Sequence, residues 1–241
     1  MAARGRQTTL KSLLLVVVAA CLWGWDLWQK PNSTTSRSQP GKPRVEQSPT
    51  EAPSSSPAGP SAATQREGRY EVYRGCTLAN EKHNDGDSFE VRLPDGRTEV
   101  FRLYFVDTPE SEFRTYRGGD DNYTRIKQQA EYFGGITSEQ AVEIGHRAKE
   151  FTLPLLAKRP FTLYTLWDSP FNDQRYHAFI QVEDGGKSRW LDELLVERGF
   201  CRIFTKGADM PDGTPLNRRK DQLHAMEREA KARRAGAWGL R

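Results

Sequence analysis

Residues 85–110, DGDSFEVRLPDGRTEVFRLYFVDTPE, constrain the fold more than any other stretch of the chain. Runs rich in Val, Phe, Leu and Thr flank Pro94-Asp95-Gly96, a tight-turn signal, so the segment predicts a β-hairpin from Ser88 to Val106. Two acidic clusters, Asp85 with Asp87 and Asp107 with Glu110, then return to the same end of that hairpin. The second strand is apolar on both faces, with Phe101, Leu103 and Phe105 alternating with Val100, Tyr104 and Val106, yet it carries Arg102. A guanidinium is costly to bury there unless it meets a carboxylate or a bound anion. Oxygen ligands gathered around a lone arginine suit a hard cation and a phosphate held together. Taken singly each residue has a structural reading: Asp85-Gly86-Asp87 as a turn, Arg102 paired with Glu90 across the hairpin, Asp107-Thr108-Pro109-Glu110 as a helix start.

The charge is unevenly spread. The net charge of +4 arises within residues 1–68, which hold eight basic and four acidic residues, and the rest carries 28 of each. Bulk charge therefore gives no argument for a polyanionic partner, and any attraction must be local. Arg4, Arg6 and Lys11 precede an apolar run from Leu13 to Trp25, the pattern of an export leader. Residues 1–29 read as a cleaved signal peptide, an uncleaved anchor with Trp23, Trp25 and Trp28 at the interface, or a lipoprotein leader ending at Cys21. Each places the protein outside the cytoplasm, secreted or tethered to a bacterial-type envelope. Residues 30–68, rich in Pro, Ser, Thr, Ala and Gln, predict a disordered linker, because little can be buried to offset the ordering entropy. That leaves residues 69–241 for one folded domain.

Within it, residues 69–78 read as a first strand and the hairpin supplies two more. Residues 111–135 are polar and Gly-rich and read as a long loop, with a helical turn near Gln128. Thr137-Ser138-Glu139-Gln140 fits a capping box, and Ala141, Ile144, Ala148, Phe151 and Leu155 keep a helical period that Pro154 should kink or end. Residues 161–167 and 176–183 predict two further strands, 190–198 a short helix, 200–204 a sixth, very short strand and 215–234 a charged helix. His83 and His146 read as surface residues and His177 as a barrel side chain. Cys76 and Cys201 read either as a disulfide or as two buried thiols. Five strands with helices after the third, the fifth and the last predict a small closed sheet in an α+β domain.

With these residues laid out, the chain resembles the staphylococcal nuclease (thermonuclease) family over nearly all of residues 70–241. The matching segments are DGDS at 85–88, FRLYFVDTPE at 101–110, GHRAKEFT at 145–152, RYHAFIQV at 175–182, LDELLVERGF at 191–200 and LHAMEREAKARRAGAW at 223–238. The resemblance implies an OB-fold five-stranded barrel with three packed helices, and calcium-dependent hydrolysis of DNA and RNA by a monomer, leaving 3′-phosphate ends. It assigns Asp87, Asp107 and the Thr108 carbonyl to the calcium ion, Arg102 and Arg175 to the phosphate, and Glu110 to the attacking water as general base. Asp85 becomes an auxiliary acidic neighbour. Two departures stand out: residues 111–145 are longer than the family's corresponding stretch, and Phe204-Thr205-Lys206 lacks its nucleotide-facing tyrosines. The alternative is a noncatalytic module of the same fold that binds nucleic acid or a protein.

Overall fold

The computed structural model describes residues 65–79, 84–170 and 175–240. The expected leader, most of the linker and His83 lie outside the described residues. Among the described residues, no helix is long and apolar enough to cross a membrane.

Five strands close a barrel. β2 (Tyr70–Leu78) pairs with β3 (Ser88–Arg92), β3 with β4 (Thr98–Leu103), β4 with β7 (Tyr176–Asp184), β7 with β6 (Phe161–Thr165), and β6 returns to β2. All of these pairings are antiparallel except β4 with β7. This is an α+β domain built on an OB-type barrel. β2 can serve both neighbours because Gly75, at φ 87°, forms a bulge between Arg74 and Cys76. Glu71 to Arg74 before the bulge and Cys76 just after it pair with β6, while Thr77 and Leu78 pair with β3. Phe89, Phe101, Leu103, Leu163, Phe179 and Ile180 are all buried in the core of the domain.

Several expectations need correction. Gln65–Glu67, which composition assigns to the linker, form strand β1 against the start of β2. The polar stretch after Glu110 contains a ten-residue helix, α1 (Tyr123–Tyr132), so the described residues hold four α-helices with the barrel rather than three. The others are α2 (Ser138–Lys158), α3 (Leu191–Glu197) and α4 (Leu216–Ala232). Strand β8 (Lys187–Trp190) folds back on β7 through Gly185-Gly186. The capping box of α2 is present in both halves, with Gln140 N donating to Thr137 Oγ1 at 3.2 Å and Thr137 N to Gln140 Oε1 at 2.9 Å. Pro154 does not end that helix; it lies on the exposed face, where solvent can serve the carbonyl it leaves without a donor. Cys76 and Cys201 are both buried free thiols.

The most consequential difference lies in the hairpin. Its second strand does not run to Val106. β4 ends at Leu103, the backbone bends with Phe105 at φ 66°, and Val106–Asp107 form a separate strand, β5, paired with β9 (Arg202–Ile203). An unbroken strand would carry Asp107 about 16 Å from Arg102 and onto the opposite face. The bend brings the two side chains together.

Candidate functional site

Arg102 sits opposite Ser88 in β3 and beside His177 in β7. It does not pair with Glu90, which faces Val100 in the register. Its Nη2 instead donates to Asp107 Oδ1 at 2.5 Å and approaches Asp87 Oδ2 at 3.4 Å. Asp87, at the mouth of β3, accepts from Ser88 Oγ at 2.9 Å and from the Thr108 backbone N–H at 3.0 Å. The two acidic ends of the hairpin therefore meet, as the sequence predicts, with Asp87, Arg102, Asp107 and Thr108 all buried.

Asp107 is the centre of charge. Besides Arg102, it accepts from Arg125 Nη2 at 2.6 Å, Arg202 Nε at 2.6 Å and Gln129 Nε2 at 3.1 Å. Burial alone would push its carboxyl upward, but the guanidiniums of Arg125, Arg102 and Arg202 together outweigh it and hold the pKa below the ordinary aspartate value. Arg125 also places Nε 2.8 Å from Glu110 Oε1. Gln129 ties the segment down, donating to the Thr108 carbonyl at 3.0 Å and accepting from the Glu110 N–H at 3.1 Å. Gly145 of α2 lies directly under this turn: a Cβ there would come within 2.4 Å of the Glu110 carbonyl oxygen and 2.6 Å of that of Pro109.

Sequence reasoning missed Arg125, Gln129 and Arg202. The first two ride on α1, which the polar composition conceals, although Ile126, Ala130 and Phe133 keep a helical period there. Arg202 lies in β9, a two-residue strand whose pairing with β5 no local pattern announces.

Arg102, Asp107, Arg125, Arg175, Arg202, Phe204 and Thr205 line a cavity of about 270 Å³. Arg175, at the start of β7, thus shares a wall with Arg102. Phe204 is exposed at its edge, with the Arg202 guanidinium 3.8 Å from the ring centroid. Four arginines thus line one depression, and three of them, Arg102, Arg125 and Arg202, are held there by Asp107.

Beside it lies an acidic corner. The Asp85 carboxyl is pushed up to about 6 by burial and by the charges of Asp87 and Glu110, against the Gly86 N–H and Lys149. Crowded carboxylates that repel one another in a partly dry setting are a donor set for a hard cation. The oxygens of Asp87 and the Thr108 carbonyl fit that role in kind; those of Asp107 fit as well, but guanidiniums engage both. Among the described residues, no three His, Cys, Asp or Glu side chains form a metal cluster by themselves. His177 is buried in β7, as expected of a barrel side chain, and His146 is exposed.

No family model matches the chain. It is 27% identical to an uncharacterized protein of Methanocaldococcus jannaschii over 173 residues, 70% of this chain and 73% of that protein.

Proposed function

We propose that the protein is a calcium-dependent nuclease of the thermonuclease type, hydrolysing phosphodiester bonds of DNA and RNA to leave 3′-phosphate ends, outside the cytoplasm as a secreted or membrane-anchored monomer. One observation carries the reading: Asp87, Arg102, Asp107, Thr108 and Glu110 converge at one end of the barrel, and Arg175 lines the same cavity as Arg102 and Asp107.

In this reading Arg102 and Arg175 grip the non-bridging oxygens of the scissile phosphate with planar forks, and Arg125 and Arg202, which line the same cavity, add charge. These contacts strengthen as charge gathers on those oxygens in the transition state, which is what accelerates the step. Asp87, Asp107 and the Thr108 carbonyl would hold the calcium ion, which supplies further positive charge toward the same oxygens. For Asp107 to join that set, its guanidinium partners must turn toward the phosphate. Glu110 accepts a proton from the attacking water as its oxygen bonds to phosphorus and the bond from phosphorus to the 5′ oxygen breaks, the departing 5′ oxygen taking a proton from solvent; Arg125 and Gln129 fix the position of Glu110.

The test is degradation of single- and double-stranded DNA and of RNA by the full-length protein, with calcium or with chelator, beside Glu110→Gln. Calcium-dependent cleavage that falls about 100-fold or more in the variant is expected; undiminished cleavage would remove Glu110 as the base. The engagement of both Asp107 oxygens by guanidiniums favours a second reading, a noncatalytic module that binds a polyanion. Oligonucleotide binding without cleavage under any metal condition would select it.

A further inference from the structure

Asp107 has three guanidinium partners, and they are not equally placed. The side chains of Arg102 and Arg202 are 5% and 6% exposed, whereas that of Arg125 is 39% exposed. Turning a buried guanidinium away from its carboxylate strands both charges in a dry interior, whereas turning a half-exposed one hands its charge to water at far lower cost. Arg102 also meets Asp87, at 3.4 Å, and its strand is paired on both sides. Arg125 is therefore the partner that Asp107 can release.

The helix that carries Arg125 does not have to move for this. Gln129, one turn along α1, is fully buried and fastens the helix to the Asp107 side chain and the Thr108 carbonyl. Arg125 Nε lies 2.8 Å from Glu110 Oε1, while Nη2 lies 2.6 Å from Asp107 Oδ1. Rotation of the side chain about its contact with Glu110 takes Nη2 off Asp107 and leaves Glu110 paired. Asp107 Oδ1 then keeps its bond from Arg102 and gains an open lone pair. A second observation points to an occupant of this corner. Thr108 is buried, and its hydroxyl oxygen has no hydrogen-bond partner among the described residues. It lies against the turn that carries Asp85 and Asp87: a Cβ on Gly86 would come within 2.7 Å of it. A buried oxygen left without a partner in acidic surroundings suits a hard cation.

We infer that Arg125 is an exchangeable counterion, which holds Asp107 until a divalent cation takes its place there and so sets the affinity of the acidic corner for that cation. The inference rests on the proposed reading of the corner as a calcium site. Guanidinium and cation compete for one oxygen of Asp107, so each weakens the other's hold by the same factor. Once displaced, Arg125 still lines the cavity that it shares with Arg175. Its charge then turns from Asp107 to the phosphate of the proposed reaction as the cation enters.

The experiment is calorimetric titration of calcium into the full-length protein, its Arg125→Gln variant and its Arg114→Gln variant. Arg114 lies near enough for the Glu110 charge to act on it, yet it pairs with Glu112 and not with Asp107. Arg125→Gln should bind calcium roughly 5-fold to 150-fold more tightly than the wild type, and Arg114→Gln within about twofold of it. In the wild type, nuclear magnetic resonance should show the guanidinium hydrogens of Arg125 exchanging with water faster as calcium is added, and those of Arg202 unchanged. Wild-type or weaker affinity in Arg125→Gln would overturn the exchange while leaving the calcium site intact. Equal tightening in Arg114→Gln would overturn it as a general effect of charge, and faster exchange at Arg202 with Arg125 unmoved would overturn the choice of Arg125. Calcium bound by none of the three proteins would overturn the calcium reading of the corner, and the inference with it.

Discussion

Asp107 is a buried carboxylate shared by three guanidiniums, so its removal leaves more charge stranded than it takes away. Asp107→Asn should cost about 3–5 kcal/mol in urea unfolding at neutral pH. Because its folded pKa lies below the ordinary value, this contribution is present above about pH 4 and is lost as the pH falls through the folded pKa. Variant and wild type should therefore converge in acid. Asp85 behaves in the opposite sense. Its carboxyl titrates near 6 in the folded protein, so the folded state holds a proton that the unfolded chain releases near 4. Stability should fall as pH rises through that window. Asp85→Asn should gain about 1–2 kcal/mol at pH 8 in chelator, the full two-unit shift being discounted for partial exposure, and nothing near pH 4. Calcium should narrow the gap by stabilising the wild type more. At this scale the sequence draws attention to Asp87, Arg102, Asp107, Thr108 and Glu110, because all five fall in one local stretch, residues 87–110. It is silent on Arg125, Gln129 and Arg202, whose positions depend on which helix and which strand dock beside Asp107.

Strands and helices set the positions of those side chains to within fractions of an ångström. Gly145 allows α2 to press its backbone against the Pro109-Glu110 turn. Gly145→Ala, favourable to an isolated helix, should here push Glu110 outward and lower cleavage about 100-fold, a displacement effect of the kind that a 1 Å error produces. A melting curve that improves while activity holds would contradict this. Thr137→Ala should remove the α2 cap at a cost of about 1 kcal/mol, with activity unchanged, since that end of the helix holds no site residue. Most elements are legible because period and turn chemistry are local: the Pro94-Asp95-Gly96 turn forms with Gly96 N donating to the Leu93 carbonyl at 3.0 Å, and the capping box is complete. The break between β4 and β5 is not legible. A run such as FRLYFV has strand character throughout, and only the pairing of Val106 with Ile203 and of Asp107 with Arg202 draws its end away. Helix α1 is hidden for a related reason: part of its buried face is Gln129, a polar side chain whose partners, the Asp107 side chain and the backbone of Thr108 and Glu110, lie elsewhere in the chain.

Over the whole described domain, the site draws on β3, β4, β5, α1, β7 and β9, and no two adjacent elements contain it. Unfolding followed by intrinsic tryptophan fluorescence and by loss of cleavage should therefore give superimposable urea transitions; loss of cleavage well before the fluorescence change would show the site to be a separable unit. The parallel pairing of Phe101, Arg102 and Leu103 with Tyr176, His177 and Ala178 is what places Arg175 on the same wall as Arg102. Contacts so distant along the chain cannot form until the intervening segments have been made and their loops closed. Under the proposed function this would have a protective result: a nascent chain still on the ribosome would hold no assembled blade, and its own message would be safe from it until the last strands had been made and the barrel had shut.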